Sequence, residues 1–343
     1  MRTLVIAPNW IGDAVMAQPL LALLRVADPE RPIDVLAPPA VAPLFRAMAE
    51  VADVLEAPNR HGSPQWRERW LLSRRLRMRG YRRCYVLPNS AKSALAPWLA
   101  GIPERIGHHG ESRWLLLNRR IPPQPGTARA PMVEFYAALA FPAPGGTVPD
   151  PVLSRNPELE RTVRARFGLA GPEPLFVLCP GAEYGPAKRW PARHYAALAA
   201  LALTEWPEAR VVLLGSAGER ALATEIAALS GQELHNLCGE TRLDEALALI
   251  AGADAVVSND SGLMHVAAAY RRTQIALFGS SDPRHTPPRS PRARVEWLRL
   301  ACSPCFAREC PLGHTDCLNG IAPAAVFESL RRALQPQTER PPR

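Results

Sequence analysis

Lysine is nearly absent from this chain, which has only Lys92 and Lys188 among its 41 basic residues. Each of the two is therefore a candidate for a role that needs a compact point charge and not the planar fork of arginine. Aromatic residues are also scarce, at 6%, and the usual nucleic-acid-binding signatures are missing, which disfavours nucleic acid as a partner. No apolar run reaches the ~18 residues that span a bilayer, and no targeting segment is visible, so the sequence predicts a cytoplasmic protein.

The length of the chain predicts its number of domains, and the distribution of charge indicates which half meets an anionic partner. A chain of 343 residues is too long for one ordinary hydrophobic core, so two domains are expected. The formal net charge is +9, and its excess lies mainly in residues 1–150, which hold 19 basic against 12 acidic side chains. This half is the better candidate for meeting something acidic, such as a phosphorylated lipid head group or a membrane surface. The alternative is that arginine runs such as 74–79 form a solvated helix face.

Short apolar runs typical of buried strands alternate with helical patterns along the chain, and residues 142–157, rich in proline and glycine, indicate an interdomain connection. Strands are predicted at 3–7, 33–37, 85–88, 175–179, 211–215, 255–258 and 274–279, and helices at 14–27, 41–50, 192–206, 219–229, 243–251 and 262–269. The alternation predicts an α/β fold of two doubly wound, Rossmann-like domains facing a ligand cleft. The predicted bounds are 1–150 for the first domain, 151–172 for a linker region, 173–335 for the second domain and 336–343 for a disordered tail.

Two charged residues follow predicted strands. Lys188 lies in the run Pro180–Trp190, between a buried strand and a helix, where α/β proteins bind anionic ligands. Asp13 ends the run Asn9–Asp13 after the first strand. It is either the N-cap of the following helix or a general base at the carboxyl end of a parallel strand.

Two further loops have features of nucleotide sites. The run Gly215–Glu219 resembles a loose glycine-rich loop, and Glu219 either accepts hydrogen bonds from a ribose or lies in the first turn of a helix. Asp260, Ser261 and Gly262 lie at a predicted helix N-terminus, which favours a diphosphate. Because Asp260 would repel phosphate, we expect a sugar hydroxyl as its partner. The alternative is an ordinary cap with His265 packed on the first turn.

Seven cysteines in a cytoplasmic protein are expected to be reduced or metal-bound. Four of them form the pattern Cys302-x2-Cys305-x4-Cys310-x6-Cys317, with proline and glycine between them. That spacing suits a small tetrahedral thiolate site for structural zinc or iron, and the alternative is four reduced thiols. The other three adjoin apolar runs and are expected in the core: Cys84, Cys179 and Cys238.

Four stretches together resemble the family of ADP-heptose:lipopolysaccharide heptosyltransferases, and most of all its heptosyltransferase II branch, over nearly the whole chain. They are Asn9–Asp13, Leu87–Ala94, Pro180–Trp190 and Asn259–His265. The resemblance implies a GT-B fold, with the acceptor on the first domain and ADP-heptose on the second. It also implies an inverting transfer that requires no cofactor and no catalytic metal.

The resemblance also assigns roles to single residues. Asp13 matches the general base that takes the proton from the acceptor hydroxyl, Lys188 matches a catalytic residue that binds the donor diphosphate, and Asp260 matches the aspartate that binds the heptose. Further donor contacts are expected from Arg189, Glu219, Thr241, Ser261, Gly262, Leu263, Met264 and His265. On the acceptor side the candidates are Asn9, Gly12, Asn89, Lys92 and Arg105, with His108 as a further one.

The expected function is transfer of L-glycero-D-manno-heptose from ADP-heptose to the first heptose of the lipopolysaccharide inner core. The acceptor would be a phosphorylated lipid A–Kdo–heptose at the cytoplasmic face of the inner membrane, where the protein would bind peripherally. The cysteine pattern is not general in heptosyltransferases II, so a heptosyltransferase I or a protein O-heptosyltransferase is an alternative. A non-catalytic nucleotide-binding module with a metal-sensing cysteine cluster is an alternative of another class. A nicotinamide-dependent reductase is disfavoured, because Trp10–Asp13 stands where a glycine-rich dinucleotide turn would be.

Overall fold

The computed structural model describes residues 1–57, 66–122, 130–140 and 147–335, and it has two compact units, Met1–Ser154 and Arg155–Arg343. Each unit contains one six-stranded sheet with helices between the strands, which confirms the predicted α/β class. The predicted tail, 336–343, lies outside the described residues, and the predicted domain bounds stay predictions. In the part of the chain that is described, no helix is both long and apolar enough to cross a membrane.

The first unit is built on a parallel sheet with the strand order β3-β2-β1-β4-β5-β6. Its strands are β1 Arg2–Ile6, β2 Ile33–Ala37, β3 Val51–Glu56, β4 Tyr81–Val86, β5 Glu104–His108 and β6 Arg119–Ile121. Its helices are α1 Ile11–Met16, α2 Gln18–Ala27, α3 Ala42–Arg46, α4 Trp66–Met78, α5 Ala91–Leu99 and α6 Met132–Ala137. The central strands are buried along most of their length, as expected where helices cover both faces of a parallel sheet.

The second unit repeats this plan with the order β12-β11-β10-β7-β8-β9, again with every neighbouring pair parallel. Its strands are β7 Leu175–Cys179, β8 Arg210–Leu213, β9 His235–Asn236, β10 Ala255–Asn259, β11 Thr273–Leu277 and β12 Ala293–Glu296. Its helices are α7 Pro157–Arg166, α8 Ala192–Glu205, α9 Arg220–Ser230, α10 Leu243–Ala251, α11 Gly262–Ala269, α12 Asp316–Asn319 and α13 Pro323–Leu334, with 3-10 turns at Pro186–Lys188 and Ala217–Glu219. All residues of β7, β10 and β11 are buried.

Counted within each unit, both sheets have the order 3-2-1-4-5-6 of a doubly wound, dinucleotide-type fold. The order reverses between β1 and β4 in the first unit and between β7 and β10 in the second. Ligands of such sheets bind outside the carboxyl ends of the strands at this switch point. The motifs found in the sequence follow these four strands: Asn9–Asp13 after β1, Leu87–Ala94 after β4, Pro180–Trp190 after β7 and Asn259–His265 at the end of β10.

Several element boundaries differ from the prediction. The helix predicted at 14–27 is two helices, α1 and α2, separated at Ala17. Pro19 in the first turn of α2 accounts for the break, because proline has no N–H to donate to the preceding turn. Helix α7 lies within 151–172, the range predicted as a linker, and contacts α10.

Candidate active site

The loop after β7, residues 180–190, is fixed at its far end by Trp190. This side chain is fully buried, and its indole N–H donates to the carbonyl of Ile321 at 3.0 Å. Its ring meets that of Tyr195 edge-on, with centroids 4.9 Å apart. Lys188 lies in the 3-10 turn just before this anchor. The backbone that carries Lys188 is therefore held against the core of the second unit.

Asn259, the last residue of β10, ties the same loop to the neighbouring strand end. Its side-chain amide donates to the carbonyls of Pro180 at 2.6 Å and Gly181 at 3.3 Å. Its side-chain oxygen accepts from the backbone N–H of Trp190 at 3.0 Å and from the hydroxyl of Tyr195 at 3.1 Å. Asn259 is completely buried, so these four bonds form away from water. They fix the ends of β7 and β10 at the switch point, a role that sequence reasoning missed.

Lys188 and Asp260 form an ion pair at this place. The Lys188 ammonium lies 2.5 Å from Oδ2 of Asp260, and the two side chains are 18% and 6% exposed. His265, in the first turn of α11, is buried beside them. Burial lowers the pKa of His265 to about 4, with Asp260 opposing and Lys188 adding to the effect, so the imidazole is neutral near pH 7. Lys188, predicted to bind the diphosphate, and Asp260, predicted to bind the sugar, are thus paired with each other. The Lys188 ammonium has three N–H groups, so it can still donate to an anion.

The N-terminus of α11 begins directly after Asp260. Ser261 is its N-cap in extended conformation and makes no side-chain capping bond, and helix N-termini present free amides that favour anions. Ser261, Gly262 and Leu263 are partly exposed. Met264 differs, because its side chain is fully buried in a cluster with Ala276 and Phe278. Any donor contact of Met264 is therefore limited to its backbone.

Glu219 caps the 3-10 turn after β8. Its Oε2 accepts from the backbone N–H of Ser216 at 2.7 Å and from the Ser216 hydroxyl at 3.0 Å. A β-carbon added at Gly181 would lie 1.6 Å from Oε1 of Glu219, so the carboxylate also lies against the loop after β7. Glu219 therefore lies in a first turn, as one of the two interpretations of the sequence had it. Thr241 is half-buried just before α10, and Arg189 is exposed and donates to the Ala182 carbonyl at 3.4 Å.

In the first unit, Asp13 lies after β1 and is held by Tyr136 of α6. The N-cap of α1 is Trp10, and Asp13 lies inside the first turn, so the interpretation of Asp13 as the N-cap is wrong. The buried Tyr136 hydroxyl hydrogen-bonds to the Asp13 carboxylate, and burial, followed by that negative charge, raises the pKa of Tyr136 well above its ordinary value. Tyr136 therefore stays protonated and acts as a donor, which no sequence signal indicated.

Of the residues predicted for the acceptor side, some are exposed and others hydrogen-bond to groups of the protein itself. Asn9 and Lys92 are exposed and Gly12 is half-buried, after β1 and β4. The Asn89 side chain accepts from Arg113 at 3.1 Å. The Arg105 guanidinium donates to the carbonyls of Ile102 and Leu116, so it fixes its own loop.

His108 is a core residue. It is 3% exposed, its ring stacks on Phe135 with centroids 3.8 Å apart, and Nε2 lies 2.6 Å from the Phe135 carbonyl. Burial lowers the pKa of His108, so it is uncharged near neutral pH. The buried Arg113 beside it was missed by sequence reasoning. Its guanidinium donates to the carbonyls of Pro88 and His108 and so shapes the loop after β4.

The four clustered cysteines are free thiols in this structure. Burial first, then the charges of Cys302, Cys305 and Cys310, raises the pKa of Cys317. Backbone amides of residues 312–315 hydrogen-bond to the Cys310 sulfur and lower its pKa. Among the described residues, however, no three histidine, cysteine or acidic side chains are arranged to hold a metal ion. The three other cysteines are buried, as predicted.

Comparison with known proteins agrees with this geometry. Residues 69–316 match glycosyltransferase family 9 (heptosyltransferase). The chain is 42% identical to lipopolysaccharide heptosyltransferase 2 of Escherichia coli K12, covering 97% of this chain and 99% of that protein. It is 41% identical to lipooligosaccharide heptosyltransferase 2 of Haemophilus influenzae, covering 86% and 88%.

A solved structure, that of E. coli ADP-heptose lipopolysaccharide heptosyltransferase II, superimposes on this chain with a TM-score of 0.86 at 40% identity. The match covers 97% of this chain and 98% of that one, and it confirms the predicted GT-B type. A family 9 glycosyltransferase from Veillonella parvula, 16% identical with a TM-score of 0.83, shares the fold. The chain therefore belongs to glycosyltransferase family 9, the heptosyltransferases.

Proposed function

We propose that the protein transfers L-glycero-D-manno-heptose from ADP-heptose to the first heptose of the lipopolysaccharide inner core, with inversion at the anomeric carbon. The observation that carries the proposal is the similarity, over nearly the whole chain, to relatives named lipopolysaccharide heptosyltransferase 2. The switch points support it, because one carries the carboxylate of Asp13 and the other the cation of Lys188. A single displacement needs a base for the acceptor hydroxyl and positive charge for the leaving diphosphate.

In the proposed reaction, Asp13 accepts the proton of the acceptor hydroxyl while that oxygen bonds to the anomeric carbon. The bond from this carbon to the ADP oxygen breaks on the opposite face, which inverts the centre. Lys188 and the free amides of Gly262 and Leu263 stabilise the negative charge on the leaving ADP. Asp260, already beside Lys188, accepts a hydrogen bond from a heptose hydroxyl. The transfer requires no cofactor.

The other donor contacts follow from where the side chains lie. Glu219 and Thr241, in the loops after β8 and β9, are the candidates for the adenosine. Arg189 and Ser261, which flank the ion pair in sequence, are the candidates for the phosphates. His265 is neutral and buried, so its contribution is to pack against the ion pair and not to add charge.

The acceptor in this proposal is a phosphorylated lipid A–Kdo–heptose, met peripherally at the cytoplasmic face of the inner membrane. The surplus of basic residues in 1–150 supports an anionic partner on this unit. Asn9, Gly12, Asn89 and Lys92 lie at its switch point. Arg105 stays a candidate for the acceptor, but only with the guanidinium N–H groups that do not bond to the carbonyls of Ile102 and Leu116.

An acceptor panel tests the function directly. Purified protein is incubated with ADP-heptose and either a core without heptose, a core with one heptose, or an acceptor protein. We expect transfer to the one-heptose core alone. Transfer to the heptose-free core would favour a heptosyltransferase I, and transfer to protein a protein O-heptosyltransferase. ADP binding without turnover on any acceptor would favour a nucleotide-binding module.

We expect Lys188→Ala to weaken ADP binding by about 10- to 100-fold, because hydrogen bonds to charged groups contribute roughly 1.5–3 kcal/mol. The variant also leaves the buried Asp260 without this cation. The double variant Lys188→Ala/Asp260→Asn is therefore expected to recover part of the affinity. Calorimetric titration with ADP measures all three proteins.

Lys92→Ala is the matched control, since it removes the only other lysine from an exposed position of the first unit. Its ADP affinity is expected to equal that of the unmodified protein. An unchanged affinity in Lys188→Ala would refute the role of Lys188 in binding the diphosphate.

We also propose that Cys302, Cys305, Cys310 and Cys317 hold a structural zinc or iron ion. The support is the spacing of four cysteines on one segment of sixteen residues, since both metals accept thiolate ligands. Because no three of these side chains are arranged to hold a metal ion in the described part of the chain, binding requires a change in their orientation. Elemental analysis of untagged protein tests this, with about one equivalent of metal expected for a tetrathiolate site. Less than about half an equivalent would favour four free thiols.

A further inference from the structure

The segment that contains the four cysteines, residues 302–317, is anchored beside the end of β11. We refer to it as the cysteine segment. The Ser303 hydroxyl donates to the Gly279 carbonyl at 2.6 Å, and the Phe306 N–H donates to the Ser280 carbonyl at 2.7 Å. A β-carbon added at Gly279 would lie 3.1 Å from the Cys317 sulfur. Both ends of the cysteine segment therefore contact the chain just after β11.

The cysteine segment also holds the loop 180–190, called here the Lys188 loop. The N–H of Ala187, the residue before Lys188, donates to the Arg308 carbonyl at 3.0 Å. The Tyr184 hydroxyl donates to the Phe306 carbonyl at 2.8 Å. A β-carbon added at Gly185 would lie 2.5 Å from the Arg308 carbonyl oxygen, so only glycine lets the two backbones approach this closely.

Tyr184 links side chains of the two segments as well. Its ring centroid lies 5.1 Å from the Lys188 ammonium and 5.2 Å from the central carbon of the Arg308 guanidinium. Both distances are within the range of a cation–π interaction. One aromatic ring, itself hydrogen-bonded to the cysteine segment, therefore contacts both the cation of the Lys188 loop and a cation of the cysteine segment.

We propose that the cysteine segment positions Lys188 for the donor diphosphate, with Tyr184 and Arg308 as positioning residues. The proposal rests on the role of Lys188 given above. A lysine side chain has several rotatable bonds, and fixing them when a ligand binds costs entropy. Contacts that hold the side chain and its backbone before the ligand arrives remove part of that cost.

Tyr184→Leu tests the proposal in two backgrounds. In the otherwise unmodified protein it should raise the Kd for ADP and the KM for ADP-heptose by about 3- to 10-fold, the size of a lost cation–π contact. The KM for the acceptor and the Tm should not change. Tyr184→Phe keeps the ring and should retain most of the affinity. Gly185→Ala, which forces the Lys188 loop away from Arg308, should give the same rise in KM for ADP-heptose.

Combination with Lys188→Ala separates the positioning role from its alternatives. If Tyr184 acts through Lys188, Tyr184→Leu has no further effect on ADP affinity in that background. An equal loss in both backgrounds would overturn the proposal and make Tyr184 a direct ligand contact. The proposal would also be overturned if Tyr184→Leu had a normal Kd for ADP while Lys188→Ala bound ADP more weakly. The role of Lys188 in binding the diphosphate would then still stand. If Lys188→Ala itself binds ADP normally, the proposed diphosphate role fails, and with it the positioning.

Phe167→Leu is the matched control. Phe167 lies under the guanidinium of Arg166, 4.7 Å from its central carbon, so it forms an aromatic–cation pair in the same unit. It is the C-cap of helix α7 and belongs to neither the Lys188 loop nor the cysteine segment. The substitution is expected to leave both the Kd for ADP and the KM for ADP-heptose unchanged. A loss equal to that of Tyr184→Leu would overturn the proposal, because it would trace the effect to general loosening of the unit.

Discussion

Asp13→Asn is expected to lower kcat by about 100- to 10,000-fold, the contribution typical of a general base. Asparagine has nearly the shape of aspartate and still accepts a hydrogen bond from Tyr136, so the first turn of α1 should remain as it is. It cannot take the acceptor proton. Steady-state kinetics with saturating ADP-heptose and a one-heptose acceptor measure the loss, and ADP affinity should be unchanged.

Tyr136→Phe is the companion variant. It keeps the buried ring and removes only the hydrogen bond to Asp13. A donor to a carboxylate stabilises its charged form, so without it the base becomes protonated at higher pH. The acid limb of the kcat/KM profile should therefore move to higher pH, with a smaller loss of kcat than in Asp13→Asn. Full activity of Asp13→Asn at all pH values would contradict the role of Asp13 as the general base.

Asn259→Leu is expected to destabilise the second unit by about 3–5 kcal/mol. The substitution removes four buried hydrogen bonds at once and leaves partners such as the Trp190 N–H and the Pro180 carbonyl without this acceptor or donor. Each such group costs roughly 1–3 kcal/mol, and neighbouring losses are less than additive. Scanning calorimetry should show a fall in Tm of about 10 °C for a unit of this size. ADP affinity should fall as well, because the Lys188 loop loses its tie to β10.

Asn236→Leu is the control for this prediction. Asn236 also ends a strand of the second unit and makes three side-chain hydrogen bonds, but these are partly exposed. Water can replace the lost partners there, so we expect a change below about 1 kcal/mol. Equal effects of the two substitutions would contradict the view that burial makes Asn259 important.

The strand–helix alternation of the sequence was enough to predict the fold class, because buried parallel strands such as β7 are continuous apolar runs. Strands with exposed charged positions escaped notice, as β3 shows with its mixture of exposed and half-buried residues. The order of the strands in each sheet could not be predicted from the strand–helix alternation alone. It depends on pairing between β1 and β4, which the alternation does not specify.

At the site, the sequence pointed to Lys188 and Asp260 separately, but their pairing joins residues 72 positions apart. The hydrogen-bonding roles of Asn259 and Tyr136 had no signal, because a buried hydrogen-bonding side chain looks like any other polar residue until its partners are known. His108 was a candidate for the acceptor side, but the folded loops bury its ring against Phe135.

The strand order has a consequence for how the chain folds. In each sheet the central pair joins distant residues, with Val5 opposite Tyr85 and Leu178 opposite Val257. The middle of either sheet forms only after a loop of about 80 residues has closed, and such non-local topology folds slowly. Until then, an apolar strand such as Leu175–Cys179 can pair only with β8 on one side, and its other edge is open to association with other chains. Since both units have the same order, the newly synthesised chain passes through this aggregation-prone stage twice.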